Sequence, residues 1–253
     1  MEGQFLTDKG QVRNHNEDSG GVFYNPSKQL LAIIADGMGG HQAGDVASLM
    51  ATDLLKEKWE QCDKLTSPQE AEEWVSRAIS DINKSIYKKA IEKEECRGMG
   101  TTVVIAICSK EFMTIAHIGD SRCYLLQDNI LRQLTEDHSL VNELVRSGQI
   151  TKEEAEHHPR KNVLLKALGT EEDIIPSVRS LEWQKDNILI LCSDGLINKV
   201  TDLELGEFLS SSKEVRQIGE EMIELANERG GEDNISLVIV TDPNSEEVGE
   251  TLC

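Results

Sequence analysis

Within residues 101–126 three apolar runs, TTVVIAIC, FMTIAHI and CYLL, are separated only by Ser-Lys-Glu and Gly-Asp-Ser-Arg. Short runs rich in β-branched residues and closed by breakers read as strands. A parallel pair needs a crossover of roughly a dozen residues, so links this brief suit antiparallel neighbours and disfavour a doubly wound parallel sheet. The runs LLAIIA at 30–35, NILILC at 187–192 and ISLVIV at 235–240 extend the set. Helices are expected between them, over 44–59, from Ser67 onward, and over 214–227. In the second, Ser67-Pro68-Gln69-Glu70 has the form of a capping box with proline in the first turn. Ala71, Val75, Ala78, Ile82 and Ile86 then mark one face at helical spacing, which should pack on a sheet. The expected fold is a single α+β domain with largely antiparallel sheets over residues 1–243. It includes a polar helical and loop insertion at about 138–170 and is followed by an acidic tail, 244–253.

Charge narrows the function. A formal net charge of -20 argues against a broad basic face for nucleic acid. An anionic substrate would also be repelled unless the site held positive charge of its own, which divalent cations can supply. The amino terminus lacks the basic start and apolar centre of a secretory signal, and no stretch has the length to cross a bilayer. Cysteines at 62, 96, 108, 123, 192 and 253 form no CxxC pair, as expected of free thiols. A cytoplasmic location without membrane insertion is expected.

The chemistry concentrates where apolar runs meet carboxylates. LLAIIADG ends in Asp36-Gly37 and ILILCSDG in Asp194-Gly195; TIAHIGDSR places Asp120 beyond a third run, and GGEDNISLVIV places Asp233 before a fourth. Acids gathered in a partly desolvated site raise one another's pKa unless hard cations accept their oxygens, and magnesium or manganese suits such a shell. Each Asp-Gly alone is equally a turn signal, and Asp120 equally a turn acid bracing Arg122. Near the amino terminus, Arg13 is suited to gripping a phosphate, and Glu17 and Asp18 to accepting hydrogen bonds from metal-held water; a surface ion pair is the alternative for Arg13 and a solvated turn for the two acids. His41, His117 and His138 have the chemistry for proton transfer, though single histidines are more often structural.

In combination, TDKGQVRNHNED, ADGMGGHQAGDVAS, MGTTVV, HIGDSR, TEDHS, CSDGL and GEDNIS resemble the metal-dependent protein phosphatases of the PPM/PP2C family, in its bacterial branch, across almost the whole chain. The resemblance implies a four-layer α-β-β-α sandwich with two central sheets, and hydrolysis of phosphoserine and phosphothreonine in proteins by metal-activated water. It implies two core Mg2+ or Mn2+ ions held by Asp36, the Gly37 carbonyl, Asp194 and Asp233. It also implies a third, weaker ion at Asp120, phosphate binding by Arg13, a water shell supported by Glu17 and Asp18, and a mobile flap at 138–170. Phosphorylated proteins are the implied substrates and a serine/threonine kinase the implied opponent, with the enzyme acting as a monomer. Eukaryotic relatives carry histidine at the Met38 position as a proposed general acid; methionine cannot donate a proton, which leaves His41 or water for that step. An aspartyl-phosphate mechanism through Asp36 or Asp194, or a non-enzymatic phosphoprotein-binding module, are the competing readings.

Overall fold

The computed structural model describes residues 1–39 and 43–242. Its strands are β1 (Glu2–Asp8), β2 (Asp18–Tyr24), β3 (Leu30–Met38), β4 (Gly100–Thr101), β5 (Val103–Cys108), β6 (Phe112–Ile118), β7 (Arg122–Gln127), β8 (Ile130–Gln133), β9 (Ser177–Glu182), β10 (Ile188–Cys192) and β11 (Ile235–Thr241). The helices are α1 (Ala43–Glu60), α2 (Pro68–Glu92), α3 (Leu140–Arg146), α4 (Lys152–Glu156), α5 (Asp194–Ile197), α6 (Asp202–Leu209) and α7 (Val215–Glu228). One sheet has the order β1-β11-β10-β7-β8, and the other β2-β3-β5-β6-β9, with β4 paired to β3. The pairings are antiparallel, as the short links require.

Three apolar cores separate four layers. Leu31, Ile33 and Ala35 of β3 pack against α1 and α2, while Leu30, Ala32 and Ile34 face the opposite sheet. On β11, Val238 and Val240 join that inter-sheet core, and Ile235, Leu237 and Ile239 pack under the other helices with Leu205, Ile218 and Met222. Strands buried on both faces explain why these runs are continuously apolar rather than alternating. The outcome is an α-β-β-α sandwich, and the stripe Ala71, Val75, Ala78, Ile82 and Ile86 lies in the first helix-sheet core as expected.

Several local expectations need correction. The strand from Leu30 does not stop at Ala35: it runs through Asp36 and Gly37 to Met38, because β4 pairs with its last two residues. Asp36 therefore sits within a strand rather than at its end. Ser67 caps α2 by accepting from the Glu70 N–H, but Glu70 reaches past it to the N–H and hydroxyl of Thr66, so the box is not closed. β1, β2, β8 and β9 were not expected, since their polar and glycine-rich sequences dilute the apolar signal.

Candidate metal centre

The acidic residues converge at one end of the sandwich, each mounted by a different segment. β2 and β3 pair in a register that sets Asp18 directly opposite Asp36. The Asp36 backbone is clamped on its other side: its N–H donates to Thr102 Oγ1 (3.0 Å), and its carbonyl accepts from Thr102 N–H (2.9 Å) and Thr101 Oγ1 (2.9 Å). Thr102 Oγ1 in turn meets Ser121 Oγ at 2.7 Å, tying β3 to the β6–β7 turn that carries Asp120. Asp194 opens the short α5 immediately after β10, and Asp233 lies in the turn before β11. Glycine is required at 37 because a Cβ there would stand 2.3 Å from the Gly44 carbonyl oxygen and 2.6 Å from that of Glu17. Only a bare backbone lets the start of α1 close over the strand.

Electrostatics reports the same convergence. Burial, followed by the charges of Asp18, Asp194, Asp120 and Asp233, holds the Asp36 carboxyl well above the usual carboxylate range. Burial is also the largest cause for Asp18, pushed up to about 7, Asp120, to about 7, and Asp194, to about 6. Asp194 adds its charge to both Asp18 and Asp120, and Asp233 adds its own to Asp194. Glu17 is raised by burial and by Asp45. Like charges placed this close and out of water are unfavourable unless a cation joins them.

Among the described residues, no three histidine, cysteine or acidic side chains already converge on a point where one ion would sit. Their oxygens are turned to protein partners: Asp233 Oδ2 accepts from Arg13 Nη2 (2.8 Å), Asp194 Oδ2 from Asn198 Nδ2 (3.2 Å) and Asp18 Oδ2 from Ser193 Oγ (2.8 Å). Asp18 Oδ1 and Asp194 Oδ1, however, are buried with no hydrogen-bond partner among the described residues. Buried carboxylate oxygens without donors match what a hard divalent cation takes as ligands, so the donor set fits magnesium or manganese. Proximity of the charges weighs more here than the present side-chain rotamers, because rotation about χ re-aims an oxygen while the backbone mounts stay fixed.

The remaining expected residues fall as follows. Arg13 stands half-exposed at the mouth, with Nε donating to the Glu232 carbonyl at 3.3 Å. Burial lowers its pKa, but the charge and hydrogen bond of Asp233, with Glu17 and Asp36, leave it raised. Arg122 is not braced by Asp120: its guanidinium grips both oxygens of Asp137, at 2.9 and 2.7 Å. His41 lies outside the described residues. His138 stacks on His117 at 4.6 Å, its Nδ1 accepts from Gly119 N–H, and burial lowers its pKa to about 4, so it braces the Asp120 turn as a neutral ring.

Asn234, Ser193 and Asp45 also belong to the site, although nothing in their residue type marks them. Asn234 Oδ1 accepts from Glu17 N–H, and its Nδ2 donates to the Lys9 and His15 carbonyls, which fastens the Arg13 loop to β11. Asp45, in the first turn of α1, faces Glu17 and carries a buried unpartnered Oδ1. Each stands inside a motif, GEDNIS, CSDGL or ADGMGGHQAGDVAS, as an ordinary polar residue whose type names no partner.

Comparison with known proteins decides the family. The pattern described as Protein phosphatase 2C matches residues 9–238. The chain belongs to the protein phosphatase 2C family. It is 49% identical over 240 residues to the serine/threonine phosphatase stp of Listeria welshimeri, covering 95% of each chain. The crystal structure of the serine/threonine phosphatase Stp1 from Staphylococcus aureus is similar at a TM-score of 0.90 and 40% identity, covering 95% of this chain and 94% of that one. A catalytic domain of the serine/threonine protein phosphatase PstP, crystallised with 2 manganese ions, is similar at a TM-score of 0.83 and 33% identity, covering 95% and 98%. The enzyme is a serine/threonine phosphatase of this family, and its reaction is metal-dependent removal of phosphate from phosphoserine and phosphothreonine.

Proposed function

We propose that Asp36, Asp194 and Asp233 form the core of a two-cation site with the Gly37 carbonyl as a further donor, that Asp120 with Asp194 takes a third and weaker ion, and that Arg13 receives the substrate phosphate. The observation that carries this reading is the gathering of Asp18 and Asp36 from one hairpin with Asp120 and Asp194 from segments far along the chain, drawing on both sheets, into one buried group that retains unpartnered carboxylate oxygens. Magnesium or manganese bound there would supply the positive charge that draws phosphate toward a chain of net charge -20 and would activate the attacking water.

The chain's own groups do the rest. Arg13 uses Nη2 on Asp233 and Nε on the Glu232 carbonyl, which leaves Nη1 for a phosphate oxygen at the mouth of the cleft. A planar guanidinium in that position orients the phosphate and stabilises charge that accumulates on its oxygens during attack. Asp18, fixed by Ser193 from the opposite sheet, and Glu17, held by Asn234 and by Ser48 Oγ on its carbonyl (2.6 Å), line the floor as acceptors for water.

The segment at 138–170 acts as the flap of a single domain spanning 1–243. In support, α3 and α4 bury no residue, the segment closes its own base through a bridge of Ser139 with Leu164, and it joins the body through a bridge of Leu168 with Thr101. The enzyme works as a monomer in the cytoplasm on phosphoproteins made by an opposing serine/threonine kinase; no described helix is long and apolar enough to cross a membrane. Turnover of a phosphothreonine peptide with Mg2+ or Mn2+, before and after chelation, tests the reading. Loss of turnover on chelation and its return with metal are expected. Equal rates in chelator, or a trapped phosphoaspartate at Asp36 or Asp194, would overturn it.

A further inference from the structure

The free edge of the first sheet runs straight toward Arg13. Ser193 N–H donates to the Ser236 carbonyl, and Ser236 N–H donates to Ser193 Oγ, so the backbone groups of Ser236 face β10. Alternation along an antiparallel ladder then turns those of Leu237 and Ile239 toward β1, where their partners are Leu6 and Gln4. Gly3, Phe5 and Thr7 consequently aim their N–H and C=O groups away from the sheet, at an edge where β1 is the last strand among the described residues, and the Gly3 N–H meets the Tyr24 hydroxyl. The chain itself half-answers this demand, since Gln4 Nε2 donates to the Phe5 carbonyl at 3.4 Å.

A groove of about 730 Å³ lies along that edge, between β1 and α7. Consecutive residues from Gln4 to Asp8 all line it. Side chains of a strand alternate between faces, so a groove touched by every residue in turn is exposing the strand's edge rather than one face. Phe5, Leu6 and Ile223 give it apolar surface. The α7 wall presents Glu220, Glu224 and Glu228 at one-turn spacing, and Arg216 is neutralised by Glu220 at 2.8 Å. At its far end the groove reaches Asp8 and Gln11. Asp8 Oδ1 is fixed there by Gly10 N–H and Asn227 Nδ2, and Gln11 N–H donates to Gly231. Val12, 63% exposed, and then Arg13 follow directly.

We propose that this groove is a docking site for an extended, Lys- and Arg-rich segment of the phosphoprotein substrate, added as a further strand on β1. The proposal rests on the phosphate-binding reading of Arg13. The outward main-chain groups of Phe5 and Thr7 supply the pairing once Gln4 swings off the Phe5 carbonyl, the apolar surface takes alternate side chains, and the glutamate wall selects basic ones. A second copy of this chain fits poorly, because edge-to-edge pairing would bring two acidic walls together. The chain's own residues 243–253 contain Glu246, Glu247 and Glu250 and no Lys or Arg, and suit the groove no better. Because β1 runs toward Arg13, an antiparallel addition extends away from it, which puts the basic segment on the carboxyl side of the phosphorylated residue.

The test compares p-nitrophenyl phosphate, a short phosphothreonine peptide, and the same peptide lengthened by a basic segment on its carboxyl side, all with Mn2+. The lengthened peptide is expected to show a KM at least tenfold lower than the short one. Glu224→Lys with Glu228→Lys, or N-methylation of alternate amides in the added segment, should remove that advantage while p-nitrophenyl phosphate turnover stays unchanged. Equal kcat/KM for the two peptides, an advantage that survives both changes, or a dimer broken by the paired lysine substitutions would overturn the proposal. If p-nitrophenyl phosphate is not hydrolysed at all, the metal-centre reading fails on its own. Fluorescence anisotropy of the labelled peptides then still decides the groove: tighter binding of the lengthened peptide, lost in the lysine variant, supports it, and equal binding rejects it.

Discussion

Replacing Asp120 with asparagine in metal-free enzyme should stabilise the fold, and the gain should depend on pH in a defined way. Burial and the charges of Asp194 and Asp137 push the Asp120 carboxyl from 3.8 to about 7. A folded pKa above the unfolded one means that the folded state holds the proton more tightly. The penalty is therefore small near pH 4, grows as pH rises from about 4 to about 7, and is full above that. A gap of about three pH units sets a ceiling of about 4 kcal/mol, and relaxation with water entry reduces it to roughly half. Urea unfolding in chelator between about pH 5.5 and pH 8 keeps the protein above its pI of about 4.7. Over that interval the variant's advantage should widen by about 1 to 2 kcal/mol and then level off near pH 7. Saturating Mn2+ should shrink or reverse the advantage, because the carboxylate then has a cation to meet, while calorimetric titration still finds two tight ions in the variant. A stability difference that does not change with pH, or a variant less stable than wild type in chelator at pH 8, would refute the argument.

Three further outcomes are expected. Asp36→Asn should lower turnover by about a thousandfold or more while far-ultraviolet circular dichroism stays native, since the amide removes charge at the centre of the cluster; wild-type rates at limiting metal would contradict this. Arg13→Ala should cost about 2 to 3 kcal/mol of transition-state stabilisation, seen as a kcat/KM for phosphopeptide lower by roughly 30- to 150-fold, with metal affinity retained in titration. Asn83 is fully buried, accepts from Gly169 N–H and donates to the Glu171 and Glu172 carbonyls. Asn83→Ala should therefore destabilise the enzyme by about 2 to 4 kcal/mol in chemical denaturation and raise hydrogen exchange over 164–172.

The site was legible in outline because its acids stand where apolar runs stop, and a run that stops at a carboxylate marks the end of a buried strand. That logic pointed to Asp120, Asp194 and Asp233, whose charges the fold brings near one another, and it misjudged the strand position of Asp36, whose strand is prolonged by β4 from a segment far along the chain. The edge strands β1 and β2 escaped it. Residues such as Gly3, Gln4 and Thr7, or Ser19, Gly20 and Gly21, carry too little periodic hydrophobicity; β1 is held by β11 from the far end of the chain, and β2 by β3 across a short hairpin.

The sequence by itself determined the antiparallel connections, the apolar runs buried on both faces, the helical stripe on α2 and the identity of the acidic groups, because these depend on local spacing and side-chain chemistry. Only the tertiary structure decided that Asp18 faces Asp36, that Arg13 rests on Asp233 and that Arg122 belongs to Asp137 rather than Asp120. Pairing register, turn geometry and sheet order decide which residues meet, from Arg122 and Asp137 around one hairpin to Arg13 and Asp233 from opposite ends of the chain, and that proximity is a property of the packed whole.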